Sequence, residues 1–439
     1  MTQNYFRDFS KYTLFNVIGM IGLSCYILAD TFFVSQGLGT DGLAALNLSI
    51  PIYNFIHGSG LMLGMGGGIQ YAIQKTQNDH VAANRTFANT IYLLILLSAI
   101  FVLTGIFFSG NIVSLFGAKQ NVFSMSKTYL QVILFFSPAF LMNNVLLCFV
   151  RNDGSPQLSM AAMITGSLSN IVLDWIFIFP FQMGIFGAAF ATGLAPVISM
   201  AVLSIHFIRK KNAFHFNLSR PNLRRLLDIL SGGLPSLVAE VSSGIVIILF
   251  NSILLNLSGN IGVAAYSIIA NISLVIVAIY TGIAQGTQPI VSHHYGIGNN
   301  TGIRAVFKYA LASMLLLSII IYSILFICSP QIIALFNSEQ NLLLQDIATE
   351  AMRLYFIACP FVGFNVILSG FFTATEHTKP AQIISLLRGF FLIIPITFIL
   401  SYLFNMIGTW CAFPVTEGIT AVISLIFLFL IKRSKNKMF

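Results

Sequence analysis

The feature that most constrains this chain is a succession of apolar runs, each long enough to cross a hydrocarbon core, which takes roughly 20 helical residues. Twelve can be read: 12–34, 43–73, 87–108, 129–150, 158–179 and 184–208, then 234–257, 261–291, 306–328, 355–372, 381–403 and 406–431. A backbone in lipid must satisfy its hydrogen bonds internally, so such runs fold as helices. Composition removes the soluble alternative: hydrophobic residues make up 57% of the 439 and charged residues 8%, where a soluble chain carries about 25% charge. The predicted fold is an all-α polytopic membrane protein.

A net charge of +9 raises the question of nucleic acid, but the basic residues form no exposed face; they sit in short connections. With the N-terminus cytoplasmic, nineteen of the 22 Lys and Arg fall on the cytoplasmic side, including the cluster Arg209, Lys210, Lys211, Arg220, Arg224 and Arg225. The outside receives Lys119, Lys127 and Arg353. That asymmetry orients the chain and requires an even number of spans, placing both termini inside. The expected surface partner is anionic lipid, not nucleic acid. Five scattered cysteines give neither a disulfide framework nor a metal site, and no cofactor is expected. The first run is too long for a cleavable signal and contains Asp30.

The longest polar stretch, 209–228, divides the chain into two halves of six spans, with 1–215 and 216–439 as expected domains. At an offset of 220, Gly42, Ala44, Ala45, Gly66 and Phe87 meet Gly262, Ala264, Ala265, Gly286 and Phe307. At 224, Pro156, Gly184, Ala188 and Thr192 meet Pro380, Gly408, Ala412 and Thr416. Six spans per half make the repeats parallel, an arrangement in which transporters place their site between repeats and rock them. No GxxxxGK[ST] phosphate loop is present, so ATP does not drive the process.

Of the thirteen acidic residues, nine lie at span ends or in loops, Asp153 and Glu339 among them, where solvation and capping are the default. Asp30, Asp174, Glu240 and Glu417 fall inside spans, where a carboxylate costs about 2.5–3.5 kcal/mol on insertion scales and marks a candidate site. By helical rise, Asp30 lies ~6 Å, Asp174 ~7–8 Å and Thr192 ~12 Å below the outer ends of spans one, five and six. Asn170 is one turn before Asp174, and Ala188 one turn before Thr192, where its carbonyl is within reach. These oxygens suit Na⁺, or two close carboxyls sharing a proton; the structural alternative is hydrogen bonding between helices. At the same offsets the second half holds Phe250, Ile394 and Phe398, so the set is one-sided. Glu240 and Glu417 are candidates for a proton or a cationic substrate, with pairing to Arg388 as the alternative for Glu417.

Local sequences carry a family resemblance: LADTFFV around Asp30, RNDGSP after span four, NIVLDWIFI around Asp174, GIFGAAFATG opening span six and GLPSLVAE ending at Glu240. Over essentially its whole length the chain resembles the multidrug and toxic compound extrusion (MATE) family, most closely its bacterial multidrug branch. The resemblance implies a membrane antiporter and not an enzyme: two six-helix lobes in a V, working as a monomer in the bacterial inner membrane. It implies export of amphipathic, mainly cationic organic compounds against Na⁺ or H⁺. It also implies that Asp30, Asn170, Asp174, Thr192 and the Ala188 carbonyl hold the cation, that Tyr26 and Asn144 lie nearby, and that Glu240 matches a span-seven acid implicated in coupling in another branch. Span one lacks the proline some members use to bend, and span ten has no acid. The alternative within the superfamily is a flippase for lipid-linked oligosaccharide, whose anionic cargo wants a basic cavity.

Overall fold

The computed structural model of the chain describes residues 4–117, 120–218, 220–337 and 340–434. Lys119, Glu339, Lys435 and Lys437, counted in the charge reading, lie outside the described residues. The helices are α1 (Tyr5–Thr76), α2 (His80–Leu115), α3 (Gln120–Phe135), α4 (Ser137–Asn152), α5 (Pro156–Ile178), α6 (Gly184–Ile208), α7 (Leu223–Gly296), α8 (Asn300–Ile327), α9 (Ser329–Phe336), α10 (Leu342–Tyr355), α11 (Cys359–Ala374), α12 (Thr378–Leu386) and α13 (Ile393–Ser434). No strand occurs among the described residues.

Among the described residues twelve apolar spans can be traced, because three helices turn back at one residue each. Gly39 in α1, Gly259 in α7 and Asn405 in α13 have φ of 66°, 61° and 51° with non-helical ψ. Gly39 and Gly259 are 220 residues apart, the same internal offset, and glycine enters this region without a Cβ clash. Span four differs from the straight helix expected over 129–150: α3 and α4 meet at a 47° bend just before Pro138, which has no N–H to continue the ladder. Span ten starts earlier than expected, with α10 joined to α11 by the 3₁₀ turn Phe356–Ala358. Span eleven contains a π turn, Leu387–Phe391, that holds Arg388.

The chain forms two compact units, Ile18–Val241 and Met1–Val17 with Ser242–Phe439. A cut at 215/216 therefore misses an exchange of segments: the start of span one belongs with the second half, and the start of span seven with the first. Small residues are the physical reason. A Cβ on Gly66 would lie 1.9 Å from the Ile229 carbonyl, and one on Gly233 would lie 1.8 Å from the Met62 carbonyl, so spans two and seven touch backbone to backbone. In the other unit, Gly286 and Gly282 meet the Thr13 and Val17 Cα atoms, each at 2.6 Å from a built Cβ. Gly66 and Gly286 are repeat partners, so one close approach is used twice.

Asp153, expected to be a solvated loop acid, is a buried hub. Its carboxylate accepts from Lys75 Nζ, from Tyr71 Oη (2.5 Å), from His206 Nε2 (2.8 Å) and from the Ala213 N–H (2.8 Å). Burial by itself would raise its pKa; the bonds from Lys75, Tyr71, His206 and Ala213 outweigh that and hold it below the usual carboxylate value. Arg151, counted among the cytoplasmic loop charges, is also buried, with its guanidinium 3.4 Å from Met65 Sδ.

Candidate cation site

The first unit brings together the side chains predicted on spans one, five and six. Asp30, Asn170, Asp174, Ala188 and Thr192 are all buried. Asp30 and Asp174 are neighbours, close enough for each carboxyl to act on the other. Asp30 Oδ1 and Asp174 Oδ1 are buried and accept no hydrogen bond. Among the described residues neither carboxyl has a Lys, Arg or His partner. The Asn170 amide sits between helices. One orientation donates to Thr192 Oγ1 at 3.4 Å. The reverse satisfies both ends, donating to Asp174 Oδ2 at 3.1 Å and accepting from the Thr192 N–H at 3.3 Å, and we adopt it. Thr192 Oγ1 donates to the Ala188 carbonyl at 3.0 Å, the one-turn contact its spacing implied.

Tyrosines complete the cluster. Tyr26, one turn before Asp30, shares a 2.5 Å hydrogen bond with Tyr53 on span two. Tyr129 on span four is buried beside Thr192. Tyr53 and Tyr129 went unread in the sequence, because a tyrosine in an apolar run has ample reason to be there as packing. Asn144 ties span four to span two, its amide donating to the His57 carbonyl at 3.5 Å beside Gly60 and Gly64. Glu240 lies outside the carboxyl pair and half-buried, with Oε2 3.7 Å from His57 Nδ1. The His57 ring stacks on Tyr53 at 5.9 Å, so Glu240 reaches the cluster through two aromatic side chains.

The second unit treats its acid differently. Glu417 Oε1 accepts from Arg388 Nε (2.9 Å) and a second guanidinium nitrogen (2.8 Å), and Oε2 accepts from Asn365 Nδ2 (2.7 Å). Asn365 Oδ1 in turn accepts from Ser424 Oγ at 3.0 Å. Pairing, the alternative weighed for Glu417, is what the fold contains: Oε1 is taken by the guanidinium and Oε2 by the Asn365 amide.

The MatE family profile matches residues 17–176 and 235–413. Multidrug export protein MepA of Staphylococcus saprophyticus is 24% identical over 429 residues, covering 97% of this chain and 94% of the relative. MepA of Staphylococcus aureus is 24% identical over 433 residues with the same coverage. A crystal structure of MATE in complex with MaL6 superposes with a TM-score of 0.91 at 24% identity, covering 97% of this chain and 96% of that one. A multidrug resistance MATE family transporter of the MOP superfamily, in an outward-facing conformation, gives 0.88 at 25% identity and the same coverage. A MOP superfamily transporter from Pyrococcus furiosus, described as having reverse polarity of its binding pocket and a different function, gives 0.89 at 24% identity, covering 98% of this chain and 96% of that one. With a family profile spanning both halves and a fold shared end to end, this chain belongs to the MatE family.

Proposed function

We propose that this protein is a multidrug exporter that expels amphipathic organic cations in exchange for Na⁺ or H⁺, using the Asp30–Asp174 pair as its coupling site. The observation that carries the reading is the meeting of two buried carboxyls with no basic partner and one unbonded oxygen each. Adjacent carboxylates away from water need a positive charge between them, and the one available from outside is a mobile cation. Asn170, Thr192 and the Ala188 carbonyl supply the neutral oxygens of such a site, with the buried Tyr26 and Tyr129 beside them. Coupling follows when cation and cargo favour different conformations, since a ligand shifts an equilibrium only by its differential affinity. Glu240, half-exposed beside His57, is the acid placed to meet a cationic headgroup.

Fold alone does not fix the cargo, because the Pyrococcus furiosus neighbour combines this fold with a pocket of reverse polarity. The polarity of the second unit's side chains supports cations: Arg388, a basic residue that an anionic cargo could use, is neutralised by Glu417. The test is efflux of a lipophilic organic cation from proteoliposomes, driven separately by a Na⁺ gradient and a pH gradient. One of the two gradients is expected to drive transport, and Asp30→Asn and Asp174→Asn are each expected to slow it more than about tenfold, a loss of roughly 1.4 kcal/mol or more. If both variants export at wild-type rates, coupling lies elsewhere.

A further inference from the structure

The connection between α6 and α7 is out of proportion to its task. The turns 77–79, 153–155, 297–299 and 375–377 each join two helices with three residues, whereas 209–222 uses fourteen. Connections between packed helices are ordinarily 2–8 residues. This strap is not a slack tether. Phe214 is fully buried against the rings of Tyr71 (5.6 Å), Phe87 (4.8 Å) and Phe149 (5.5 Å). Backbone N–H groups fix it at intervals: Ala213 donates to Asp153, His215 to Asn84 Oδ1 (2.8 Å) and Asn222 to Asn89 Oδ1 (3.0 Å).

Held in this way, the strap and its flanking helix ends turn large apolar side chains outward. Leu218 is 89% exposed, Ile208 74%, Leu223 71% and Phe216 48%. Interleaved with them are the exposed cations Arg209, Lys210, Lys211, Arg220 and Arg224, against one acid, Asp228. Water explains the charges but not the leucines, and a nucleic acid has no use for the leucines either. An anionic bilayer surface uses both: apolar side chains enter the boundary between headgroups and acyl chains while Lys and Arg reach phosphates. The strap leaves α6 at Ile208, where the apolar run 184–208 ends, so its first residues adjoin a membrane-spanning segment.

We propose that residues 208–218 and 220–224 form a docking surface for anionic phospholipid headgroups in the leaflet facing the strap. The occupant is lipid rather than a soluble phosphate ligand, since a free anion would leave Leu218 and Phe216 without a partner.

The test places a reporter at the most exposed position. Leu218→Trp is made in the full chain and reconstituted into vesicles whose acyl chains are brominated either on phosphatidylglycerol or on phosphatidylcholine in a mixed bilayer; fluorescence is read against the parent protein. The expected result is stronger quenching by the brominated phosphatidylglycerol, with the difference abolished when Arg209, Lys210, Lys211, Arg220 and Arg224 are all changed to Gln. Equal quenching by both lipids overturns recognition of the anionic headgroup. Absence of quenching by either places the strap in water or under a protein partner and overturns the docking itself. Neither readout requires transport, so the result stands apart from the coupling mechanism.

Discussion

In the unit formed by Ile18–Val241, two acids meet with no basic partner, and in its repeat partner a single acid is surrounded by donors. The scaffold beneath them is shared: Gly39 and Gly259 make equivalent turns, and Gly66 and Gly286 make equivalent close approaches. Where the first unit has Asp30, the second has Phe250, fully buried and stacked on Tyr266 at 5.0 Å. Tyr355 stacks on Phe413 at 4.5 Å and Tyr266 on Trp410 at 6.4 Å, so rings fill the volume. Thr192 bonds the Ala188 carbonyl, while its partner Thr416 is buried with no hydrogen bond to its hydroxyl. The same helical frame thus serves a polar site in one unit and a closed core in the other. A repeat constrains backbone approach far more tightly than it constrains the chemistry of the side chains.

The sharpest way to break that comparison is to remove each acid and ask what it was holding. Glu417→Gln leaves the part-buried Arg388 without its carboxylate and is expected to cost about 3 kcal/mol of stability, the low end for breaking a buried pair. Adding Arg388→Met should recover most of the loss, since the Gln side chain still accepts from Asn365; unfolding of the detergent-solubilised protein measures both. A Glu417→Gln variant as stable as the parent would mean the ion pair is not what occupies this acid. Asp174→Asn is expected to behave in the opposite manner, costing little in cation-free buffer because it removes an uncompensated charge. It should instead abolish the extra stability that the coupling cation gives, about 2.7 kcal/mol at a hundredfold excess over its dissociation constant. Glu417→Gln should keep that increment. Cation stabilisation that persists in Asp174→Asn would move the binding site out of the first unit.

What could be read in advance divides along the same physical line. Spans were legible because an apolar run has few other uses, and Asp30, Asn170, Asp174 and Thr192 were legible because polarity at depth is expensive. Asp153 was misread for the same reason: outside an apolar run a carboxylate needs no excuse, and nothing local announces that Lys75, Tyr71 and His206 converge on it. The exchange of segments between units depends on Gly66 and Gly233 meeting carbonyls from distant spans, a property of tertiary structure. The offset of 224 also slips by one residue within span eleven. Phe398, the counterpart of buried Asp174 by offset, is 55% exposed, and its neighbour Thr397 is the buried residue.

Asp153 gives a smaller test at the helix ends. Asp153→Asn removes a charge-assisted acceptor from three side chains and the strap, and is expected to cost about 2–3 kcal/mol. Its counterpart at offset 224, His377, contacts Thr375 Oγ1 at 3.1 Å, and His377→Ala should cost under about 1 kcal/mol. The carboxyl is depressed in the folded state, so its contribution is complete above the unfolded value near 3.9 and is lost as pH falls through the lower folded value. Parent stability should therefore drop on the acid side of about pH 4 more steeply than that of Asp153→Asn. Parallel acid limbs in urea unfolding would remove Asp153 from its place as the hub.

Tyr53 gives the smallest effect and separates two roles held by one side chain. Its hydroxyl bonds Tyr26 at 2.5 Å, and its ring stacks on His57, the neighbour of Glu240. Tyr53→Phe keeps the stacked ring and deletes the hydroxyl, leaving Tyr26 without its partner one turn from Asp30. A neutral hydrogen bond is worth about 1 kcal/mol, which corresponds to roughly fivefold in apparent affinity for the coupling cation. Tyr266→Phe in the second unit, which keeps its stacking on Phe250 and Trp410, should leave that affinity unchanged. The cation concentration that gives half-maximal efflux is the readout. If the two variants shift it equally, the hydroxyl of Tyr53 does not set the carboxyl pair, and the polar character of the first unit ends at Asp30, Asp174 and the side chains that touch them directly.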